Sequence, residues 1–215
     1  MSKRLIVGII GHHNLCAAQH DTYLAQCTAA LQVLQQRHPK RTLEIMSALA
    51  PGAERIGARA ALSLGLRLVV LLPPDQLMLG DPDASSESRA EYRALLTQIP
   101  IQNFQIPAPD THGDSSACCA ADLTRLIVSE SQVLMALWDG QASEWPGDTA
   151  DLIDAKLQPG CHDLPDTDAG PVLHLSARRE GAAHGPMFPL PVWLYPADAE
   201  SSIQQERRRR FSALV

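Results

Sequence analysis

Residues 43–72 constrain the fold of this chain more than any other stretch. Leu43, Ile45 and Met46 lead into Ser47-Ala48-Leu49-Ala50-Pro51-Gly52-Ala53-Glu54-Arg55, a helix is expected to run on to Leu64, Gly65 stops it, and residues 66–72 are apolar apart from Arg67. A short run rich in Val and Leu is what a strand covered on both faces looks like, and a glycine at the helix stop suits a left-handed C-terminal residue. The stretch therefore reads as a βαβ unit. Pro51 and Gly52 mark its strand-to-helix turn. Open α/β sheets seat their ligands at such turns, where helix N–H groups lack intrahelical partners.

The same alternation extends in both directions. Residues 5–10 form a first buried strand, broken by Gly11 and followed by His12-His13-Asn14. A helix is expected over 18–36, with Leu24, Cys27, Leu31 and Leu34 at helical spacing. Pro73-Pro74 ends the 66–72 strand, and the polar stretch 75–88 reads as a surface excursion. Helices follow over 87–98 and 116–130, separated by a weaker strand at 101–106 and a loop at 107–114. Residues 133–138 make a strand that stops at Asp139-Gly140, and the chain crosses into Gly147-Asp148-Thr149-Ala150 and a helix through Lys156. A last parallel strand is expected at 172–175, and a proline-limited edge segment at 188–195. Ser202 and Gln205 have capping-box spacing for a short C-terminal helix carrying Arg207 to Arg210, most simply a solvated charged face. The expected fold class is α/β: one doubly wound, mostly parallel sheet with helices on both faces, over residues 1–197, followed by a basic helix at 198–215.

A chain of 215 residues that is 45% hydrophobic can bury one substantial core, and nothing in it requires a second. The net charge of −6 argues against nucleic acid as a partner, because it opposes a general attraction to phosphate. Five cysteines, an odd number without CxxC spacing, point to reduced thiols and a cytoplasmic setting. Residues 5–10 are too short for a membrane span, so no membrane association is expected.

Three strand-to-helix turns would share the carboxyl edge of such a sheet: Gly11-His12-His13, Pro51-Gly52-Ala53-Glu54-Arg55, and Asp139-Gly140 with Gly147-Asp148-Thr149. Glycines let backbone approach a ligand, helix N-termini offer donors and partial positive charge, and Ser47 or Thr149 could add a hydroxyl. Together they favour a nucleotide-like ligand. His12, His13, Cys16 and His20 could be read as a metal site, but the helix is expected to start after Asn14, which parts them, and no metal is assigned. Trp138 reads as core at a strand end. For Glu54 and Arg55 the alternative to ligand contact is a first-turn carboxylate and its ion pair.

These segments resemble the SLOG superfamily of Rossmann-like proteins, relatives of DNA-processing protein A and of lysine-decarboxylase-like phosphoribohydrolases. A bacterial branch reads G-x-x-G-H-R, S-G-L-A-E-G-A-D-R, W-D-G and G-G-T-A. Here the counterparts are Gly8-Ile9-Ile10-Gly11-His12-His13, Ser47 to Arg55, Trp138-Asp139-Gly140 and Gly147-Asp148-Thr149-Ala150, in the same order over about residues 4–156. The resemblance implies a Rossmann-like fold and a pocket for a nucleotide or an NAD-derived molecule such as ADP-ribose. Gly11, His12, His13, Ser47, Gly52, Glu54, Arg55, Asp139, Gly140, Gly147, Asp148 and Thr149 are the ligand-contact candidates. His13 stands where the family has arginine, which exchanges a permanent fork for an imidazole. Asp148 stands where the family has glycine, either capping the helix or competing with a phosphate for its N-terminus, an effect of roughly 0.3–1 kcal/mol. On this resemblance the phosphoribohydrolase catalytic pair falls on Leu123 and Leu152, which can neither exchange a proton nor hold charge, so glycosidic cleavage would need Asp151, Asp154 or Arg125 to substitute from a neighbouring position.

The first functional expectation is thus a non-catalytic binding module, sensing its ligand through a homodimer or a protein partner. The alternatives are an enzyme hydrolysing an N-glycosidic or phosphate bond of such a ligand, with Glu54 or Asp151 as base, and a member that has lost its ligand.

Overall fold

The computed structural model describes residues 3–72, 85–105, 120–142, 147–158, 169–182 and 190–196. The stretch 75–84, the loop 107–114, Cys161-His162-Asp163 and the C-terminal basic segment lie outside them. Among these described residues seven strands form one sheet: β1 (Lys3–Gly11), β2 (Arg41–Ser47), β3 (Arg67–Leu71), β4 (Phe104–Gln105), β5 (Val133–Trp138), β6 (Val172–Ser176) and β7 (Val192–Leu194). Their spatial order is β4-β3-β2-β1-β5-β6-β7, parallel throughout except for β7, which lies antiparallel on β6. Among the described residues five α-helices cover the sheet: α1 (His20–Arg37), α2 (Ala53–Ser63), α3 (Ser86–Leu96), α4 (Ala120–Glu130) and α5 (Thr149–Leu157).

Period-two side chains explain the two layers. On β1, Leu5, Val7 and Ile9 enter one core and Ile10 the other; on β5, Val133, Met135 and Leu137 alternate with Leu134, Ala136 and Trp138 in the same way. The first core holds Tyr23, Cys27, Leu31 and Leu34 of α1, Ile56 and Ala60 of α2, and Tyr92 and Leu95 of α3. The second holds Leu123, Ile127 and Val128 of α4 and Leu152, Ile153 and Leu157 of α5. Burial pushes the Cys27 thiol up to about 12, so this cysteine packs as a small hydrophobe. The architecture is the Rossmann-like doubly wound sheet expected from sequence. Among the described residues no helix is long and apolar enough to cross a membrane.

Two of the boundaries that differ from the sequence reading have a local cause. The helix expected from residue 18 begins as a 3₁₀ turn over Ala17–Gln19 and becomes α-helical at His20, because Cys16 is tied to Arg178 by its N–H and cannot enter a helix. The expected strand at 101–106 is instead a 3₁₀ turn, Ile101–Asn103, followed by a two-residue strand. The Asn103 N–H closes on Pro100 O at 2.9 Å and curls the chain before it can pair.

The order of the strands sets the site. From β1 the chain winds outward through β2, β3 and β4, then returns across β1 to place β5 on its other side. Crossovers therefore leave in opposite directions at β1 and β5. That is the switch point, where the loops at the carboxyl ends splay apart and leave a crevice.

Candidate functional site

A cleft of about 610 Å³ opens at the switch point. It is lined by Gly11, His12 and His13 after β1, Ala48 to Pro51 with Glu54 and Arg55 after β2, and Trp138, Asp139, Gly147, Asp148 and Thr149 around the β5–α5 crossing. The three turns read from sequence thus meet in one place. Ser47, Gly52 and Gly140 are not on its wall. The Ser47 hydroxyl donates to Glu54 Oε2 at 2.9 Å, beneath the loop.

Gly11 and Gly52 let the two turns pack on each other rather than let backbone meet a ligand. Gly11 has φ +152°, and a Cβ there would collide with Leu137 O and lie 2.6 Å from Ala53 Cβ. Gly52 has φ +75°, and a Cβ there would collide with the carbonyl of His13 and lie 2.5 Å from that of His12. The Ala53 N–H donates to His12 O at 3.1 Å, locking the β1–α1 loop against the start of α2.

In the β2–α2 turn the polar side chains bind the protein to itself. Glu54, 3% exposed, accepts from Ser47 Oγ and from the Ala48 N–H at 2.6 Å; burial raises its pKa, and these hydrogen bonds pull the other way. Leu49 holds a left-handed backbone at φ 58°, with its N–H on Ser47 Oγ at 3.0 Å and its carbonyl on Arg55 Nε at 3.0 Å. Arg55 Nη1 continues to Ser88 O, Ser88 Oγ and Glu91 Oε2, each at 2.9 Å, and its guanidinium lies 5.6 Å from the Tyr92 ring centroid. Burial pushes the Tyr92 phenol up to about 12, although Arg55 pulls it down.

The opposite wall is an ionic chain. Asp139, 9% exposed, accepts from Arg179 Nε at 2.7 Å and from the Gln141 N–H at 3.1 Å, and its Oδ1 lies 3.1 Å from His12 Nε2. Burial alone would raise the Asp139 pKa, but the hydrogen bonds from Gln141, His12 and Arg179 outweigh it and hold the carboxyl below its ordinary range. His12 Nε2 also lies 3.3 Å from the Asp139 N–H. Bare, that nitrogen accepts from the amide; protonated, it donates to the carboxylate. Burial lowers the His12 pKa against the pull of Asp139 and favours the neutral ring. His13 at the mouth is lowered too, by desolvation and by the neighbouring His12 and Arg55.

At the third turn Asp148 caps α5, accepting from the Asp151 N–H at 2.9 Å, while Asp151 Oδ2 accepts from the Gly147 N–H at 2.7 Å. The pair is a variant of the capping box in which the return bond goes to the residue before the N-cap, and it turns two carboxylates toward the helix N-terminus. Leu123 and Leu152 both line the cleft, so the positions aligned with the phosphoribohydrolase pair present hydrocarbon to it.

Arg179, Asn14, Leu49, Tyr92 and Gln141 also line the cleft and are not among the candidates read from sequence. Arg179 had a signal: it lies just past the end of a parallel strand, at the same carboxyl edge as the three turns. The apolar run that marks this strand ends at Leu175, four residues short of Arg179.

No family model matches the chain, and no curated protein does. Among solved structures it is similar to DNA processing protein A from Helicobacter pylori, described for its single-stranded DNA binding mode. The two are 15% identical over 83% of this chain and 68% of that one, with a TM-score of 0.46. It is also similar to DNA processing protein A from Streptococcus pneumoniae, at 15% identity over 77% of this chain and 59% of that one, with a TM-score of 0.30. The first finding corrects one expectation. Nucleic acid was set aside on net charge, yet the H. pylori protein binds single-stranded DNA. Charge summed over a chain does not describe the field in one cleft, so that exclusion is withdrawn.

Proposed function

We propose that this chain is a binding module of SLOG type that holds a nucleotide or an NAD-derived molecule such as ADP-ribose in the switch-point cleft and signals its presence. The observation that carries this reading is the meeting of three strand-to-helix turns on one cleft of about 610 Å³, a volume in the range of small-molecule sites. Apolar surface from Leu49, Leu123, Trp138 and Leu152 suits a base or ribose face, while His12, His13 and Arg179 border it with polar groups.

Sensing is favoured over turnover by the state of the carboxylates. Glu54 is engaged by Ser47 and Ala48, and Asp151 by the Gly147 amide, so neither stands ready to take a proton from water. The test is mass spectrometry of small molecules released from gently purified protein, with thermal-shift titration of nucleotides, NAD and ADP-ribose. A nucleotide recovered near one per chain, intact, is the expected result. Steady hydrolysis of ADP-ribose or NAD that vanishes in Glu54→Gln or Asp151→Asn would replace the sensor with an enzyme. An empty protein that none of these molecules stabilises would leave a degenerate cleft.

A further inference from the structure

The β1–α1 loop offers the cleft His13, an imidazole whose pKa is lowered by burial, rather than a permanent cation. A guanidinium nonetheless reaches the cleft from the far side of the sheet. Arg179 follows β6, and its backbone is stitched to the β1–α1 loop: Leu15 and Arg179 form an antiparallel bridge, the Cys16 N–H donates to Arg178 O at 2.9 Å, and the Glu180 N–H donates to Asn14 O at 2.7 Å. Glu180 Oε2 in turn accepts from the Ala17 N–H at 3.1 Å.

The side chain is fixed at one atom. Its Nε donates to Asp139 Oδ2 at 2.7 Å, and among the described residues neither terminal nitrogen has a hydrogen-bond partner. Asp139 is itself held by the Gln141 amide and His12, so the pin does not swing. A guanidinium gripped at Nε keeps its Nη1–Nη2 end in a fixed plane, with donors spaced for two oxygens of one phosphoryl group. The group is 34% exposed, open to a ligand yet bordered by protein. Asp148 and Asp151 already accept from N–H groups at the start of α5, which leaves the Arg179 end as the better placed donor for an anion.

We propose that Arg179 is the anion-binding residue of the cleft, taking a phosphoryl group end-on, with Asp139 as its positioning residue. This rests on the nucleotide reading above and names which part of the ligand lies where: phosphate toward β6, apolar face toward Leu123 and Leu152.

The experiment compares ADP-ribose with adenosine, its phosphate-free counterpart, by calorimetric titration of the full chain. Wild type is expected to prefer ADP-ribose by about ten- to a hundredfold, the effect of a charge-assisted pair of hydrogen bonds. Arg179→Gln should bring the ratio close to one with adenosine affinity unchanged, which loss of a merely structural arginine would not do. Arg179→Lys, folded and charged but without the fork, should keep only part of the preference. A ratio unmoved in both variants overturns the assignment while leaving the nucleotide reading intact. If wild type binds neither molecule, inorganic phosphate separates the two ideas: phosphate stabilisation lost in Arg179→Lys upholds the anion site without a nucleotide, and no phosphate effect on wild type removes both. Should Arg179→Gln not fold, Asp139→Asn supplies the second arm, since unpinning the guanidinium should lower the ADP-ribose preference and spare adenosine.

Discussion

The β2–α2 turn and the end of β6 each bring an arginine to the same cleft, and they use it in opposite ways. Arg55 is buried, with Nε on a loop carbonyl, Nη1 on α3 and its face against Tyr92. Among the described residues Arg179 is hydrogen-bonded through Nε alone, and its side chain is 34% exposed. Glu54 and Asp139 differ in parallel: one carboxyl is buried under its own loop, the other anchors a half-open cation. A residue's place in a ligand-binding motif therefore does not say whether it faces the ligand. In this molecule the β2–α2 turn forms the frame, and the β1, β5 and β6 ends carry the polar groups that remain available.

The comparison breaks most readily at the frame. Gly52→Ala places a side chain at φ +75° against two carbonyl oxygens, and a loss of about 3 kcal/mol or more is expected in urea unfolding. A midpoint like that of wild type would mean that the β1 and β2 turns are not packed as described. Next in size, Arg55→Ala strips α3 of its tie to the loop and should cost roughly 2–4 kcal/mol. Arg179→Ala, at a more exposed pair, should cost about 1 kcal/mol or less. Equal losses in the two variants would erase the distinction between frame and contact surface.

Acidity separates the same regions by sign. His12 and His13 have pKa values lowered from 6.5 in the fold, so the unfolded chain binds more protons below that value; their contribution is complete above pH 6.5 and is lost as pH falls through the folded values. Glu54 is raised from 4.5, so its contribution is complete below that value and lost as pH rises through the folded one. Denaturation followed from pH 4 to 8 should show His12→Asn/His13→Asn losing less stability than wild type below pH 6.5. Glu54→Gln should gain on wild type as pH rises. Parallel profiles for wild type and both variants would show that these groups titrate alike in folded and unfolded chains.

The smallest effect concerns α5. Asp148→Gly should cost only a few tenths of a kcal/mol as a cap and leave ADP-ribose affinity unchanged, because the phosphate is assigned to the β6 end. A several-fold gain in ADP-ribose affinity in that variant, roughly 0.3–1 kcal/mol, would place the phosphate at α5 instead and count against the β6 end.

Much of the fold could be read from residues 43–72 and their echoes at 5–10 and 133–138, because strands buried on both faces write themselves as apolar runs. The strand at 101–106 misled because its alternation was short and Pro100 curled the chain ahead of it. At the site, motif order correctly brought three turns to one edge. It did not say that Ser47 would turn inward to Glu54 or that Gly52 would lie beneath His12 and His13.

What the sequence determined by itself, then, is local and periodic: buried strands, helices stopped by glycine or proline, and polar turns at one end of each strand. Only the tertiary structure decided which polar groups neutralise one another and which remain available. Arg179 and Asp139 are 40 residues apart, as are Arg4 and Glu44 in the ion pair at the opposite edge of the sheet. Such pairings depend on strand order and loop closure, and neither periodicity nor motif spacing encodes them, because hydrogen bonds act over about 3 Å of space whatever the separation along the chain.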